Sequence, residues 1–160
     1  MSEISKKQNG FTLIELLLAL VILGIILLIG LPSLSVYQAG NLLRETTDEI
    51  MDRLRVAHMR TIKKEGNARH GVHFSPQEFV LFKGAVYIPG DPENVSTEIG
   101  RGLEIYDVSL NGGGNDVVFD FLTGKTSNYG SIKVRVQGSA DYTQVSISEL
   151  GLIESFWFDN

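Results

Sequence analysis

A single carboxylate, Glu15, lies near the start of a long apolar stretch in this 160-residue sequence. From Leu16 to Leu31 no side chain carries a charge. A helix over residues 11–34 would be about 30–36 Å long, which is enough to cross the hydrocarbon core of a bilayer. A lone carboxylate in such a helix costs about 2.5–3.5 kcal/mol, so we expect Glu15 to pair with a cation.

The residues before the apolar stretch resemble the processing site of a type IV prepilin or pseudopilin. Gly10 is followed by Phe-Thr-Leu-Ile-Glu, and Lys6 and Lys7 precede it. The resemblance implies that a membrane-embedded prepilin peptidase cuts after Gly10 and N-methylates Phe11. It also implies that the Phe11 amine, of this or a neighbouring subunit, is the partner of Glu15. An ordinary signal anchor is the alternative, but it leaves Glu15 without a partner.

The order of charge and hydropathy predicts four segments. Residues 1–10 form a leader that is removed, and residues 11–34 form a transmembrane helix that later lies in a filament core. Residues 35–65 form the amphipathic half of the same helix, and residues 66–160 form a β-rich globular head. The leader lysines favour a cytoplasmic N-terminus. This predicts a single-pass protein of the inner (cytoplasmic) membrane, with its head periplasmic or extracytoplasmic.

Three residues within the apolar helix weaken it locally: Gly24, Gly30 and Pro32. Glycine costs helix stability, and proline removes an N–H donor and clashes with the preceding turn. A kink near the membrane exit is the simple expectation. The resemblance to pilins adds a second one, namely that this segment partly unwinds when the subunit enters a filament.

The amphipathic half carries one apolar stripe. Positions seven apart are apolar or small, and Thr or Leu fills the positions between them: Val36, Leu43, Ile50 and Ala57, then Thr47, Leu54 and Thr61. Charged residues occupy much of the remaining surface. A coiled coil and packing under a sheet both fit this stripe, and the weak Thr and Ala positions favour the sheet.

After Gly66 the pattern changes to strands and turns. The predicted strands are Gly71–Phe74, Phe79–Lys83, Val86–Ile88, Leu103–Leu110, Val117–Phe121, Ile132–Val136, a strand from Val145 to about Glu149, and Leu152–Phe158. The stretch from Pro89 to about Arg101 is predicted to be a loop. The fold class is therefore α+β and pilin-like, with a long N-terminal helix packed on an antiparallel sheet or sandwich of about seven or eight strands.

A looser resemblance covers the C-terminal part of the head. A Phe-led strand that ends in glycine at residues 119–124, an alternating strand at 132–136 and a V-x-I-S-x-x-G-x-I hairpin at 145–153 resemble GspH/FimT-like minor subunits. Generic hairpin chemistry produces similar patterns.

Composition argues against several activities. Residues 71–160 carry five Lys/Arg and twelve Asp/Glu, a net charge of −7, and the chain has no cysteine. Nucleic-acid binding needs clustered Lys and Arg side chains to contact phosphates. The acidic head and the absence of a basic C-terminal tail therefore argue against this function. The three histidines, His58, His70 and His73, have no further ligands nearby that would complete a metal site. We expect no cofactor, no metal and no catalytic residue.

Two groups in the head have alternative interpretations. The loop oxygens of Asp91, Glu93, Glu98, Asn111, Asn115 and Asp116 lack EF-hand spacing, and solvated loops fit them better than a calcium site. The terminal aromatics Phe156, Trp157 and Phe158 are expected to close the core with alternate rings, with Trp157 outward. A patch that faces a partner is the alternative.

These features predict a structural protein and not an enzyme. The resemblance implies a minor pseudopilin of a type II secretion system, near the filament tip, that supports protein export. Its partners would be the prepilin peptidase, other major and minor pilins or pseudopilins, and the inner-membrane assembly platform. A minor type IV pilin for pilus assembly, motility, adhesion or DNA uptake is the alternative. A membrane-anchored enzyme or binding domain would instead need a polar pocket of ionisable residues in the head.

Overall fold

The computed structural model describes residues 11–158, and the side chains of residues 27–38 are outside what it describes. One α-helix, α1, extends from Leu13 to Ile62. The chain divides into two compact units, Met1–Gln38 and Ala39–Asn160. The second unit contains the last part of α1, a short 3₁₀ helix at Glu65–Asn67 and all of the described strands. From here on, the head means this whole unit, and so it includes the end of α1 as well as the predicted β-rich part.

The head contains two antiparallel four-stranded sheets. The strands are β1 (His70–Phe74), β2 (Glu78–Lys83), β3 (Val95–Glu98), β4 (Leu103–Leu110), β5 (Asp116–Val118), β6 (Gly130–Val136), β7 (Tyr142–Ile147) and β8 (Ile153–Phe158). The first sheet has the order β3-β2-β1-β5, and the second has the order β4-β6-β7-β8. The predicted α+β class and strand number are therefore confirmed.

The stripe of α1 packs against both sheets in one core. Its described members are buried: Leu43, Thr47, Ile50, Leu54, Ala57 and Thr61. The same core holds Phe74 and Leu81 from the first sheet and Ile132 and Val145 from the second. Packing under a sheet is therefore the correct interpretation of the stripe. Val36 lies among the residues whose side chains are not described.

The two threonines of the stripe are buried polar groups with bonded hydroxyls. Thr47 Oγ1 donates to the carbonyl of Leu43 at 2.7 Å, and Thr61 Oγ1 donates to that of Ala57 at 2.9 Å. The Thr61 hydroxyl also accepts a hydrogen bond from the backbone N–H of His70 at 2.9 Å. Thr61 therefore joins the end of α1 to the start of β1.

The predicted third strand was wrong. Val86–Ile88 lies in a loop, and β3 instead forms at Val95–Glu98, inside the stretch that was predicted to be a loop. Gly84 turns the chain at φ 129°, and the side chains of Val86 and Ile88 are 68% and 61% exposed. Alternation in a short apolar run does not place it in a sheet when nothing covers one of its faces.

Two boundaries and one strand register also differ from the simple prediction. The helix ends at Ile62 and not at residue 65, because Lys64 takes a left-handed conformation at φ 55°. β5 ends at Val118, so residues 119–121 lie outside the strand. Within β4 a register shift between Ile105 and Asp107 explains why alternation there was incomplete.

Candidate functional site

The predicted processing site begins the described part of the chain. Gly10 lies outside the described residues, so the cut after it stays a prediction. Phe11 precedes α1 with 84% of its surface exposed.

Thr12 caps the first turn of α1, which the sequence analysis missed. The backbone N–H of Glu15 donates to Thr12 Oγ1 at 3.3 Å, and that of Leu16 donates to the Thr12 carbonyl at 3.2 Å. Threonine three residues before glutamate is the spacing of a capping box, and this signal was present in the sequence. Glu15 therefore lies in the first helical turn, where the helix dipole favours a negative charge.

The first compact unit exposes apolar side chains on every face of its helix. Every Phe, Leu, Ile and Val from Phe11 to Ile26 is at least 48% exposed. A helix that is apolar on all sides is normally covered by lipid or by other protein. The exposed side chains from Phe11 to Ile26 are called the apolar sleeve below.

The predicted span at residues 11–34 extends into the residues whose side chains are not described. Among the described residues, no helix has the length and apolarity that a membrane crossing requires. The backbone of α1 is helical through Gly24, Gly30 and Pro32, but the surroundings of Gly30 and Pro32 are not described. Their weakening role stays a prediction.

The terminal aromatics do not close the core, so that prediction was wrong. Phe156, Trp157 and Phe158 are 46%, 41% and 40% exposed, because β8 is the outermost strand of its sheet. Trp157 lies on the side of the sheet that faces α1, where the guanidinium of Arg44 lies 4.7 Å from its ring centroid. Phe158 stacks on Tyr142 at 4.8 Å on the other face.

The histidines occupy three separate environments. His58 meets the ring of Phe119 edge-on at 5.1 Å. His73 Nδ1 lies 2.6 Å from Asp116 Oδ1, and its ring stacks on Tyr87. In the residues that the structure describes, no group of three His, Cys, Asp or Glu side chains could hold a metal ion.

His70 lines a polar cavity between the end of α1 and β2. This cavity of about 260 Å³ is also lined by Arg60, Glu65, Lys83 and Glu93. The four charged side chains form two ion pairs, Arg60–Glu65 at 3.6 Å and Lys83–Glu93 at 2.9 Å. Burial, and then the positive charge of Arg60, lower the pKa of His70. Since the charges neutralise each other, the cavity wall has no net charge with which to attract an ionic substrate.

Several of the loop oxygens that were considered for calcium have protein partners. Glu93 binds Lys83, Asp116 binds His73, and Asp91 Oδ1 accepts the N–H of Glu93 at 2.8 Å. Asn111 Nδ2 donates to the carbonyl of Ser127. These bonds order the loops themselves.

The basic residues of β6, and Arg69 just before β1, are also paired with acids. Lys133 lies 2.9 Å from Asp107, Arg135 lies 2.7 Å from Glu104, and Arg69 lies 3.3 Å from Asp120. Paired cations contribute little to phosphate binding, which depends on clusters of available positive charge.

Two glycine turns that belong to the C-terminal sequence pattern meet beside His58. Gly124 has φ 65° and Gly151 has φ 81°, both in the left-handed region. A Cβ at Gly151 would overlap the carbonyl oxygen of Gly124, and a Cβ at Gly124 would overlap the His58 ring. The spacing of glycines in this pattern therefore allows two turns and the helix to approach closely.

The N-terminal residues match a known sequence motif. Residues 5–31 match the family model described as the prokaryotic N-terminal methylation motif. The resemblance to type IV pilin-like proteins is thereby confirmed, and the motif implies processing by a prepilin peptidase and assembly with other pilin-like subunits.

The fold is similar to that of a solved pseudopilin. The "minor pseudopilin EpsH from the Type 2 Secretion System of Vibrio cholerae" superposes with a TM-score of 0.56 at 14% identity, and the match covers 72% of this chain and 96% of that one. At this identity the likeness establishes the fold. No significant match was found among curated proteins. Motif and fold together support a pilin-type or pseudopilin-type structural role.

Proposed function

We propose that this protein is a minor pseudopilin, a structural subunit of a type II secretion filament that acts near the filament tip and supports protein export. It is cut after Gly10, methylated at Phe11, and held in the inner membrane by residues 11–34 before it enters the filament. The inner-membrane assembly platform and the other pilin-like subunits are its partners.

The observation that carries this proposal is the apolar sleeve, which lies within the methylation motif and begins directly after the predicted cleavage site at Gly10. Every large apolar side chain from Phe11 to Ile26 is exposed in the single chain. Lipid can cover the sleeve before assembly, and the helices of neighbouring subunits can cover it in a filament core. The apolar sleeve therefore suits both the membrane-bound subunit and the assembled filament.

Glu15 is the charge that connects these stages. It lies in the first turn of α1, four residues after Phe11. The free amine that the cut creates is the cation we assign to it, from the same or a neighbouring subunit. In a low-dielectric core this ion pair would fix the axial register of adjacent helices.

The fold supports the assignment to type II secretion, and the resemblance to GspH-like minor subunits supports the placement near the tip. The minor pseudopilin that shares this fold comes from a type II secretion system. Depletion of the chain in its own organism distinguishes the candidates, because a secretion subunit affects protein export and a type IV pilin affects pili. Loss of pili with unchanged export would overturn the secretion assignment.

Processing is tested by co-expressing the full chain with a prepilin peptidase. We expect a mature N-terminus at methylated Phe11, read by mass spectrometry, and no cleavage in Gly10→Val. A mature N-terminus at any other residue would overturn the proposal.

A matched pair of variants separates the charge of Glu15 from helix capping. Gln at this position still suits a capping box but carries no charge. If the charge sets the register, Glu15→Gln and Glu15→Ala both fail to assemble while cleavage after Gly10 continues. Normal assembly of Glu15→Gln would show that the ion pair is not needed.

A further inference from the structure

The four outer strands of the two sheets differ in how their free edges are protected. An unpaired edge presents backbone N–H and C=O groups to any passing strand, and proteins protect edges by shortness, bulges, charges or a covering segment. The outer strands are β3 and β5 in the first sheet, and β4 and β8 in the second.

Three of these edges carry such protection. β3 and β5 have four and three residues, which limits the number of bonds that a new strand could make. β4 has eight residues, but it carries a register shift next to Asp107, and its Ile105 N–H donates to the carbonyl of Pro76. The turn between β1 and β2 thus covers part of this edge.

Among the described residues, β8 is longer than β3 and β5, has no register shift and carries little charge. Its six residues pair with β7 in continuous register from Ile153 to Phe158. It contains no Lys, Arg or Pro, and Glu154 is its one charged residue. Phe156 and Phe158 lie on one face and Trp157 on the other, and all three are at least 40% exposed. Within the described residues, β8 pairs with β7 alone.

We propose that the outer edge of β8 is a strand-addition site, where an extended and mainly apolar segment from a different subunit of the same filament becomes a fifth strand of the second sheet. Backbone hydrogen bonds would hold the added strand, and the exposed aromatic rings would cover its side chains on both faces. This inference rests on the proposed function, because it takes the occupant from the same filament.

The direction of β8 within the head selects the occupant. Gly151, just before β8, lies beside His58, whereas Trp157 near its end lies against Arg44. The helix rises about 21 Å from residue 44 to 58, and the strand extends about 20 Å from residue 151 to 157. β8 and this part of α1 therefore run in opposite directions.

Subunits that enter one filament from one membrane have their helices in the same direction. The β8 strands of two copies would then be parallel to each other. Antiparallel pairing, the more stable arrangement, needs a strand that runs in the direction of α1. The occupant is therefore a strand of a neighbouring head other than that head's β8. An acidic residue opposite Glu154 would be unfavourable, because like charges would then face each other.

A charge placed on the edge tests the site. In cells that produce the full chain with its peptidase and companion pilin-like subunits, Phe156→Lys should lower incorporation into filaments by about tenfold or more, because an edge lysine blocks strand pairing. Val86→Lys is the matched control, since Val86 is 68% exposed in a loop and should incorporate normally. Equal incorporation of both variants would contradict the proposal.

Hydrogen exchange tests the mode of binding. In an antiparallel edge strand every second backbone N–H points outward. Strand addition should protect these alternate amides of β8 in the assembled filament relative to the detergent-dispersed subunit. If filaments form and depend on Glu15, but the alternate amides exchange equally in both states, this inference is wrong and the proposed function stands. If the wild-type chain never enters a filament, both the strand-addition proposal and the proposed function are wrong.

Discussion

The two compact units of this chain place their apolar side chains in opposite environments. In the first unit, Leu17 and its apolar neighbours from Phe11 to Ile26 are exposed. In the head, Leu54, Phe119 and the rest of the core are buried. The head therefore completes its core within one chain, whereas the first unit has an apolar surface that other molecules must cover.

This contrast separates stability from assembly. Substitutions in the buried core of the head should act on folding, and substitutions in the apolar sleeve should act on membrane insertion and filament formation. The same truncation in both units tests this separation, and substitutions within the head test the contacts that stabilise it.

The largest effect is expected for the same truncation made in both units. Leu54→Ala removes a side chain with 0% exposure and should lower the free energy of unfolding of the head by about 2–5 kcal/mol. Leu17→Ala removes one with 49% exposure and should change it by less than about 0.5 kcal/mol. Thermal and denaturant unfolding of the full chain in detergent measures both. A head that is equally destabilised by Leu17→Ala would refute the separation.

The sequence predicted the elements with strong periodicity. The stripe of α1 was visible because Leu43, Ile50 and Ala57 recur at a constant spacing, and each one is buried. The hairpin of β1 and β2 was also visible, because a turn rich in polar residues separates two apolar runs. These signals are local, so the sequence alone was sufficient to detect them.

The failures concern features that depend on distant neighbours. Val86–Ile88 alternates like a strand but has no covering layer, and β3 became a strand because β2 offered an edge to it. The exposure of Trp157 follows from the outermost position of β8, which depends on strand order. Of the N-terminal site, Glu15 was identified, whereas the cap at Thr12 was overlooked although its spacing was readable.

The next effect concerns the meeting of the two glycine turns. Gly151→Ala adds a Cβ that would overlap the carbonyl oxygen of Gly124, at a residue with φ 81°. We expect a loss of about 2–4 kcal/mol in the free energy of unfolding, from left-handed strain and overlap together. Gly113→Ala, at φ 72° with open space around it, should lose only about 1–2 kcal/mol. Equal losses would mean that the close approach does not matter.

A smaller effect should distinguish the two buried threonines of α1. Thr61→Val leaves the N–H of His70 without its partner and should lower the free energy of unfolding by about 1–3 kcal/mol. Thr47→Val removes a hydroxyl that bonds a carbonyl of its own helix, and should cost less than about 1 kcal/mol. Denaturant titration of both variants gives the difference. The reverse order would show that Thr61 does not join the helix to β1.

The smallest effect is confined to mildly acid solution and concerns His70. Burial lowers its pKa in the folded state below the ordinary value of 6.5, and the charge of Arg60 lowers it further. As the pH falls below about 6.5, the unfolded chain binds a proton at this residue before the folded chain does, so the free energy of unfolding decreases. Above that pH, His70 is neutral in both states and contributes nothing to the pH dependence of the free energy of unfolding.

Urea titration across this pH range measures the effect. The free energy of unfolding should decrease with falling pH in the wild type, and it should decrease less steeply in His70→Gln. An unchanged slope would mean that other groups in the head cause the acid sensitivity. A less steep decrease in His70→Gln would place the acid sensitivity at the junction of α1 and β1, because the backbone N–H of His70 is also the group that Thr61 binds.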